Sequence, residues 1–145
     1  MEKIILNTPA AKSEIYVGLS WESVHDLLPD SGVAIITDNN VLRLYGNKFP
    51  NFPVFSVASG EESKTISVIE NLAGKMLDAG IDREGFLLAI GGGVVGDVTG
   101  FLASIYMRGI KFGSISSTLL SQVDASVGGK NGLILSAESS KRNIS

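Results

Sequence analysis

Apolar positions fall along this chain in two alternating rhythms. Short apolar runs read as strands at Glu14–Val17, Val33–Thr37, Val54–Ala58, Phe86–Ile90 and Phe112–Ile115. The runs starting at Val33 and Phe86 are continuous, the pattern of strands covered on both faces. Between the strands, apolar residues recur at helical spacing. Trp21–Leu28 reads as a short amphipathic helix, with Ser20 as N-cap and Pro29 past its end. Ile66–Ala79 is the clearest helix: Ile66, Ile69, Ala73, Met76 and Leu77 share one stripe, and Gly80 supplies the stop. Asp97–Met107 is another, with Val98, Phe101, Leu102 and Ile105 on one face. Strand and helix in alternation predict an α/β fold: a Rossmann-like, mostly parallel sheet with helices on both faces. The Ser-rich stretch Ser136–Ser145 lacks periodicity and reads as a disordered polar tail, which puts the folded domain at residues 1–135.

Composition narrows the chemistry. Hydrophobic residues are 44% of the 145 and charged residues 19%, which is globular composition. No charge-free run exceeds about a dozen residues, against the ~20 that a membrane-spanning helix needs. The opening MEKIILNTPA lacks the apolar core of a signal peptide. Cysteine is absent, which removes disulfides, thiolate catalysis and cysteine metal sites. The single histidine, His25, cannot build a multi-histidine site and reads as an ordinary surface or half-buried residue. Lys and Arg total 12 against 15 Asp and Glu, with no basic stripe for nucleic acid. These features predict a reduced, cytoplasmic, soluble protein with neither a nucleic-acid nor a membrane partner.

The strongest chemical signal is Gly91-Gly92-Gly93-Val94-Val95-Gly96-Asp97. It follows a predicted strand and opens a predicted helix, the context in which G-x-G-x-x-G binds phosphate. Glycines let the backbone turn sharply and approach an anion, and the free N–H groups of the first helical turn face it. The alternative is a tight turn that binds nothing. The usual acidic residue some 20 positions on is missing near Lys111, so a standard dehydrogenase half-domain fits poorly. Asp97 would be repelled by a phosphate. Either it points to a sugar hydroxyl, an ammonium or a metal, or it only favours the helix N-terminus. Asp38-Asn39-Asn40 and Gly60-Glu61-Glu62-Ser63-Lys64 follow other predicted strands, and with the glycine turn they would line one rim. Ser116–Lys130, rich in hydroxyls and ending Gly-Gly-Lys, suits phosphate or sugar oxygens but is not a P-loop, since Asn131 follows Lys130.

Ala89–Asp97, Thr99–Phe101, Tyr106–Gly109 and Ser117–Lys130, in this order and spacing, resemble the 3-dehydroquinate synthase family. The resemblance covers about residues 12 to 133. It implies an N-terminal NAD-binding α/β domain and a C-terminal helical domain whose glutamate and two histidines hold zinc or cobalt. Those ligands are not in this chain, which therefore reads as the N-terminal part of a longer enzyme, inactive alone. The family converts a phosphorylated sugar acid, 3-deoxy-D-arabino-heptulosonate 7-phosphate, to 3-dehydroquinate and phosphate in the shikimate pathway, regenerating NAD. By position, Asp38, Asn40, Glu61 and Lys64 would hold the adenosine side of NAD, and Glu62 would also bind the cofactor. Gly92, Gly93, Val94, Val95 and Gly96 would take its pyrophosphate. Asp97 would lie near the nicotinamide ribose and the substrate, and Ser117 and Thr118 would contact the cofactor. Asp97, Asp124 and Lys130 would be catalytic, and Arg108, Asp124 and Lys130 would reach the substrate. The arginine serves the neighbouring subunit, which implies a homodimer. Ser117 stands where the family has threonine, and Ser139 where it has lysine. A related sugar-phosphate cyclase or polyol dehydrogenase domain, and a non-catalytic nucleotide-binding module, are the alternatives.

Overall fold

In the computed structural model the described residues are 2–7, 12–116 and 131–137. Backbone pairing gathers seven strands into one sheet: β1 (Glu2–Asn7), β2 (Lys12–Leu19), β3 (Val33–Asp38), β4 (Val54–Val57), β5 (Phe86–Gly91), β6 (Lys111–Ser116) and β7 (Asn131–Ala137). Their order is β1-β2-β7-β6-β5-β3-β4. The parallel part is β4, β3, β5 and β6. Antiparallel β7, β2 and β1 extend it beyond β6. β1 and β7 are not foreseen from the sequence. Ser136 and Ala137, expected in a polar tail, pair with Ser13 and Lys12 and complete β7. Their order comes from ladder hydrogen bonds, which hydrophobic periodicity does not report. Residues 138–145 lie outside the described ones.

Among the described residues four α-helices flank the sheet: α1 (Trp21–Leu27), α2 (Asn39–Tyr45), α3 (Ile66–Asp78) and α4 (Gly93–Ile105). Successive strand residues point to opposite faces, so β3 and β5 feed two cores. Ala34, Ile36, Leu87 and Ala89 pack with α3 and α4. Val33, Ile35, Leu88 and Ile90 pack with α1 and the side chain of Val41 on α2. Leu72, Met76 and Leu102 are essentially fully buried, each contributing roughly 1.5–3 kcal/mol of transfer free energy.

Helix ends follow local chemistry. The Thr65 hydroxyl accepts the Val68 N–H and starts α3. The helix stops where Gly80 takes φ +78°, a left-handed conformation that suits glycine. The Ile81 N–H then reaches the Met76 carbonyl and the Gly80 N–H the Leu77 carbonyl, a Schellman stop whose apolar pair, Ile81 and Met76, is buried.

Two apolar stripes differ from expectation. On α3 the buried row is Ile69, Leu72 and Met76, whereas Ile66 and Leu77 are 71% and 56% exposed. On α4, Val95, Val98, Leu102 and Ala103 are buried, whereas Phe101 and Ile105 are about half exposed. At 100° per residue these four side chains lie roughly a quarter turn off the buried rows. The result is apolar surface on the outer flanks of both helices.

Candidate functional site

In an open parallel sheet, the crevice for ligands lies beyond the carboxyl ends of the strands. Here β5, β3 and β4 are neighbours, and each ends in one of the three polar segments singled out above. Asp38 ends β3, Gly60–Lys64 follows β4, and Gly92–Asp97 follows β5. The three therefore share one rim. The buried Thr37 hydroxyl donates to the Ile90 carbonyl at 2.6 Å, tying the ends of β3 and β5 together beneath it. Thr37 was not singled out in the sequence. A threonine closing an apolar run is its only signal.

The glycine turn is the start of α4, which begins four residues earlier than the expected Asp97. Gly92 is its N-cap and brings no side chain to the helix amides. The first intrahelical bond runs from the Gly96 N–H to the Gly92 carbonyl at 3.1 Å. The N–H groups of Gly93, Val94 and Val95 precede it and have no intrahelical acceptor. Among the described residues, a Cβ at Gly93 or Gly96 would meet nothing within 4 Å. A Cβ at Gly91 would sit 2.8 Å from Val95 Cβ and 2.7 Å from its Cγ2. Gly91 thus lets the first turn of α4 lie close on β5, while Gly93 leaves the amides open to space. Open amides at a helix N-terminus whose cap is a glycine suit a diphosphate.

Beside this turn stands an ion pair. Lys64 Nζ lies 2.7 Å from Asp97 Oδ2 and 3.4 Å from Glu61 Oε2. Of the partners that the sequence leaves open for Asp97, the structure supplies an ammonium. Hydrogen bonding to Asp97, and then to Glu61, holds the Lys64 ammonium above the ordinary lysine range, against a smaller effect of desolvation. The turn that carries Lys64 needs Gly60, whose φ is +97°. The buried Ser63 hydroxyl fastens the turn by donating to the Ala58 carbonyl. Lys64, Ile66, Ile69, Asp97, Val98 and Phe101 line a groove of ≈ 350 Å³ between α3 and α4.

Other expected residues lie apart from this centre. The Asp38 carboxylate accepts the Val41 N–H at 2.8 Å and caps α2; Asn40 is exposed on the first turn of that helix. Arg108 follows the far end of α4 from Asp97, with Met107 and Arg108 both at positive φ. Ser117, Thr118, Asp124 and Lys130 lie outside the described residues. His25 is exposed and stacks on Phe52. Among the described residues no three His, Cys, Asp or Glu side chains gather as a metal site, and no helix is long and apolar enough to cross a membrane.

Residues 54–144 match the family model of the 3-dehydroquinate synthase N-terminal domain. The chain belongs to this family. The match continues past Leu133, where the motif-by-motif resemblance stops. A 3-dehydroquinate synthase of Sulfurovum sp. (strain NBC37-1) is 42% identical over 125 residues, covering 79% of this chain and 36% of the relative. That of Pelotomaculum thermopropionicum is 44% identical over 143 residues, 90% of this chain and 38% of the relative. The chain thus spans somewhat over a third of the length of these relatives. Among solved structures, 2-deoxy-scyllo-inosose synthase complexed with carbaglucose-6-phosphate, NAD+ and Co2+ shares the fold. Its TM-score is 0.68 at 23% identity, over 86% of this chain and 37% of that one. ValA, the 2-epi-5-epi-valiolone synthase of Streptomyces hygroscopicus subsp. jinggangensis 5008, with NAD+ and Zn2+ bound, has a TM-score of 0.58 at 26% identity. That likeness covers 71% of this chain and 31% of ValA.

Proposed function

We propose that this chain is the NAD-binding part of a 3-dehydroquinate synthase. The observation that carries the reading is the open N-terminus of α4. Three first-turn amides lack intrahelical acceptors, the cap is glycine, and no described residue occupies the Cβ position of Gly93. This is a cradle for the cofactor's diphosphate. The chain's place in the family and its NAD-bound structural relatives support the same choice. Gly92–Gly96 hold the diphosphate, and Glu61, Glu62 and Lys64, on the turn after β4, hold the cofactor's adenosine side. Asp38 and Asn40 approach the adenosine side from the end of β3. Asp97 faces the nicotinamide ribose and the substrate.

The substrate is a phosphorylated sugar acid, 3-deoxy-D-arabino-heptulosonate 7-phosphate, and the products are 3-dehydroquinate and phosphate. The bound NAD supplies reversible oxidation of one substrate hydroxyl. Ser117 and Thr118 bind the cofactor, and Asp124 and Lys130 bind and turn over the substrate. Zinc or cobalt belongs to ligands elsewhere in the complete enzyme. Arg108, exposed at the opposite end of α4 from Asp97, serves a second subunit's substrate phosphate, so the working form is a homodimer. The enzyme acts in the cytoplasm, in aromatic amino-acid biosynthesis. Complementation tests the whole reading: joined to the remainder of a family relative, the chain should convert heptulosonate phosphate to dehydroquinate, and Asp97→Ala should lose turnover with little loss of stability. An active hybrid indifferent to Asp97→Ala would refute the assigned role. A hybrid that folds and binds metal but cyclises only another sugar phosphate would refute the substrate.

A further inference from the structure

Lys64 is the odd charge on the rim. Asp38–Asn40, Gly60–Lys64 and Gly92–Asp97 hold the four carboxylates Asp38, Glu61, Glu62 and Asp97, and Lys64 is their one cation. Its ammonium is already committed, 2.7 Å from Asp97 and 3.4 Å from Glu61. Asp97 stands about one helical turn, ~5.4 Å of axis, beyond the open amides of Gly93–Val95. A flexible four-carbon stem crosses that distance by side-chain rotation alone. An anion seated on those amides and the carboxylate of Asp97 therefore compete for one ammonium. Both partners are partly exposed, at 38% and 67%, so the exchange strips no buried ion of its partner.

We propose that Lys64 is an electrostatic latch: Asp97 and Glu61 hold it in the free chain, and it passes to the diphosphate when the dinucleotide binds. The inference rests on the dinucleotide reading above. The exchange makes the state of Asp97 depend on the cofactor. Without nucleotide the carboxylate is neutralised. With nucleotide bound it is a free anion on the wall of the Ile66–Phe101 groove, available to a hydroxyl of the reacting partner. Lys64 is then a positioning residue, acting through Asp97 and not on the substrate.

The test is calorimetric, on the full chain and three variants: D97N, K64M and the double variant. NAD+ reports the dinucleotide site. ADP reports the latch, because it carries the diphosphate but lacks the nicotinamide ribose that Asp97 would face. The latch predicts that D97N tightens ADP by about two- to five-fold, the scale of releasing a partly exposed ion pair. It also predicts that this gain shrinks or vanishes in the K64M background. Plain repulsion between Asp97 and phosphate predicts the opposite, an equal or larger gain once Lys64 no longer screens the carboxylate. Isotope-labelled lysine reads the same exchange in the unmodified chain: the Lys64 Nζ signal should move on saturation with ADP. If ADP and NAD+ bind but D97N gives no gain, or a gain that survives K64M, or the Lys64 signal stays still, the latch is overturned and the dinucleotide reading stands. If neither nucleotide binds the unmodified chain, the reading and the latch fall together.

Discussion

Two glycines two residues apart should respond to the same substitution in opposite ways. At Gly91, a Cβ would lie 2.8 Å from Val95 Cβ and 2.7 Å from Val95 Cγ2. A β-branched stem one turn into a helix cannot swing aside, so the first turn of α4 must lift off β5. Overpacking of this kind costs roughly 1–3 kcal/mol, or about 3–10 °C of melting temperature for a domain of this size. At Gly93, an added Cβ meets no described atom within 4 Å, and the backbone there is helical with negative φ. Gly93→Ala removes unfolded-state freedom and should stabilise by ~0.4–1 kcal/mol. The new methyl nevertheless stands over the amides that we assign to the diphosphate, and NAD+ affinity should fall at least tenfold, ~1.4 kcal/mol. Gly93→Val, which is bulkier, should abolish binding. Thermal melts and calorimetric titration of both alanine variants check the pair. A Gly93→Ala chain that is stabilised and binds NAD+ with unchanged affinity would remove the glycine turn from the site. A Gly91→Ala chain of unchanged stability would refute the close-packing argument.

The remaining expectations concern the frame beneath the site. Leu102→Ala empties a fully buried position between α4 and the sheet and should cost about 2–5 kcal/mol in denaturant unfolding, while a chain losing under ~1 kcal/mol would contradict the packing described. The buried Tyr106 hydroxyl donates to the Ile81 carbonyl at 2.6 Å, so Tyr106→Phe, which orphans that carbonyl, should cost roughly 1–3 kcal/mol. Burial, and less so Asp82, raises the Tyr106 phenol above its ordinary value of 10.0. The neutral phenol is the form the fold favours, so its contribution is whole below pH 10 and is lost as pH climbs through the raised value. The stability gap between Tyr106→Phe and the unmodified chain should accordingly narrow above pH 10, and a gap constant to pH 12 would rule out the buried phenol as its source.

The central parallel strands were legible because their apolar runs are continuous and end in glycine or polar clusters. α3 was legible in its span but not in its orientation. Ile66 and Leu77 belong to the apolar periodicity yet face outward, because periodicity ranks residues by polarity and only packing against β4 and α4 picks the buried row. The early start of α4 is hidden in the sequence because Gly93 and Gly96 are poor helix formers and read as loop. Here they are the first turn, held down by Val95 against Gly91. β1 and β7 are polar at their starts, each with a short apolar run inside, and β2 pairs with both, a fact of long-range topology invisible to local pattern. At the site, the shared rim and the glycine cradle could be anticipated. The Lys64–Asp97 pair could not, since its partners are 33 positions apart and come from turns after different strands. Only the strand order β5-β3-β4 brings them together.

The central claim is that the rim formed by Gly92–Gly96 and Gly60–Lys64 binds a dinucleotide. Its most direct test is an amide-resolved NMR titration of the chain with NAD+. The account predicts saturable shifts, competed by ADP, at the amides of Gly93, Val94, Val95 and Lys64, with those of α1 and β1 unmoved. Shifts confined to other elements, or none at saturating NAD+, would contradict it.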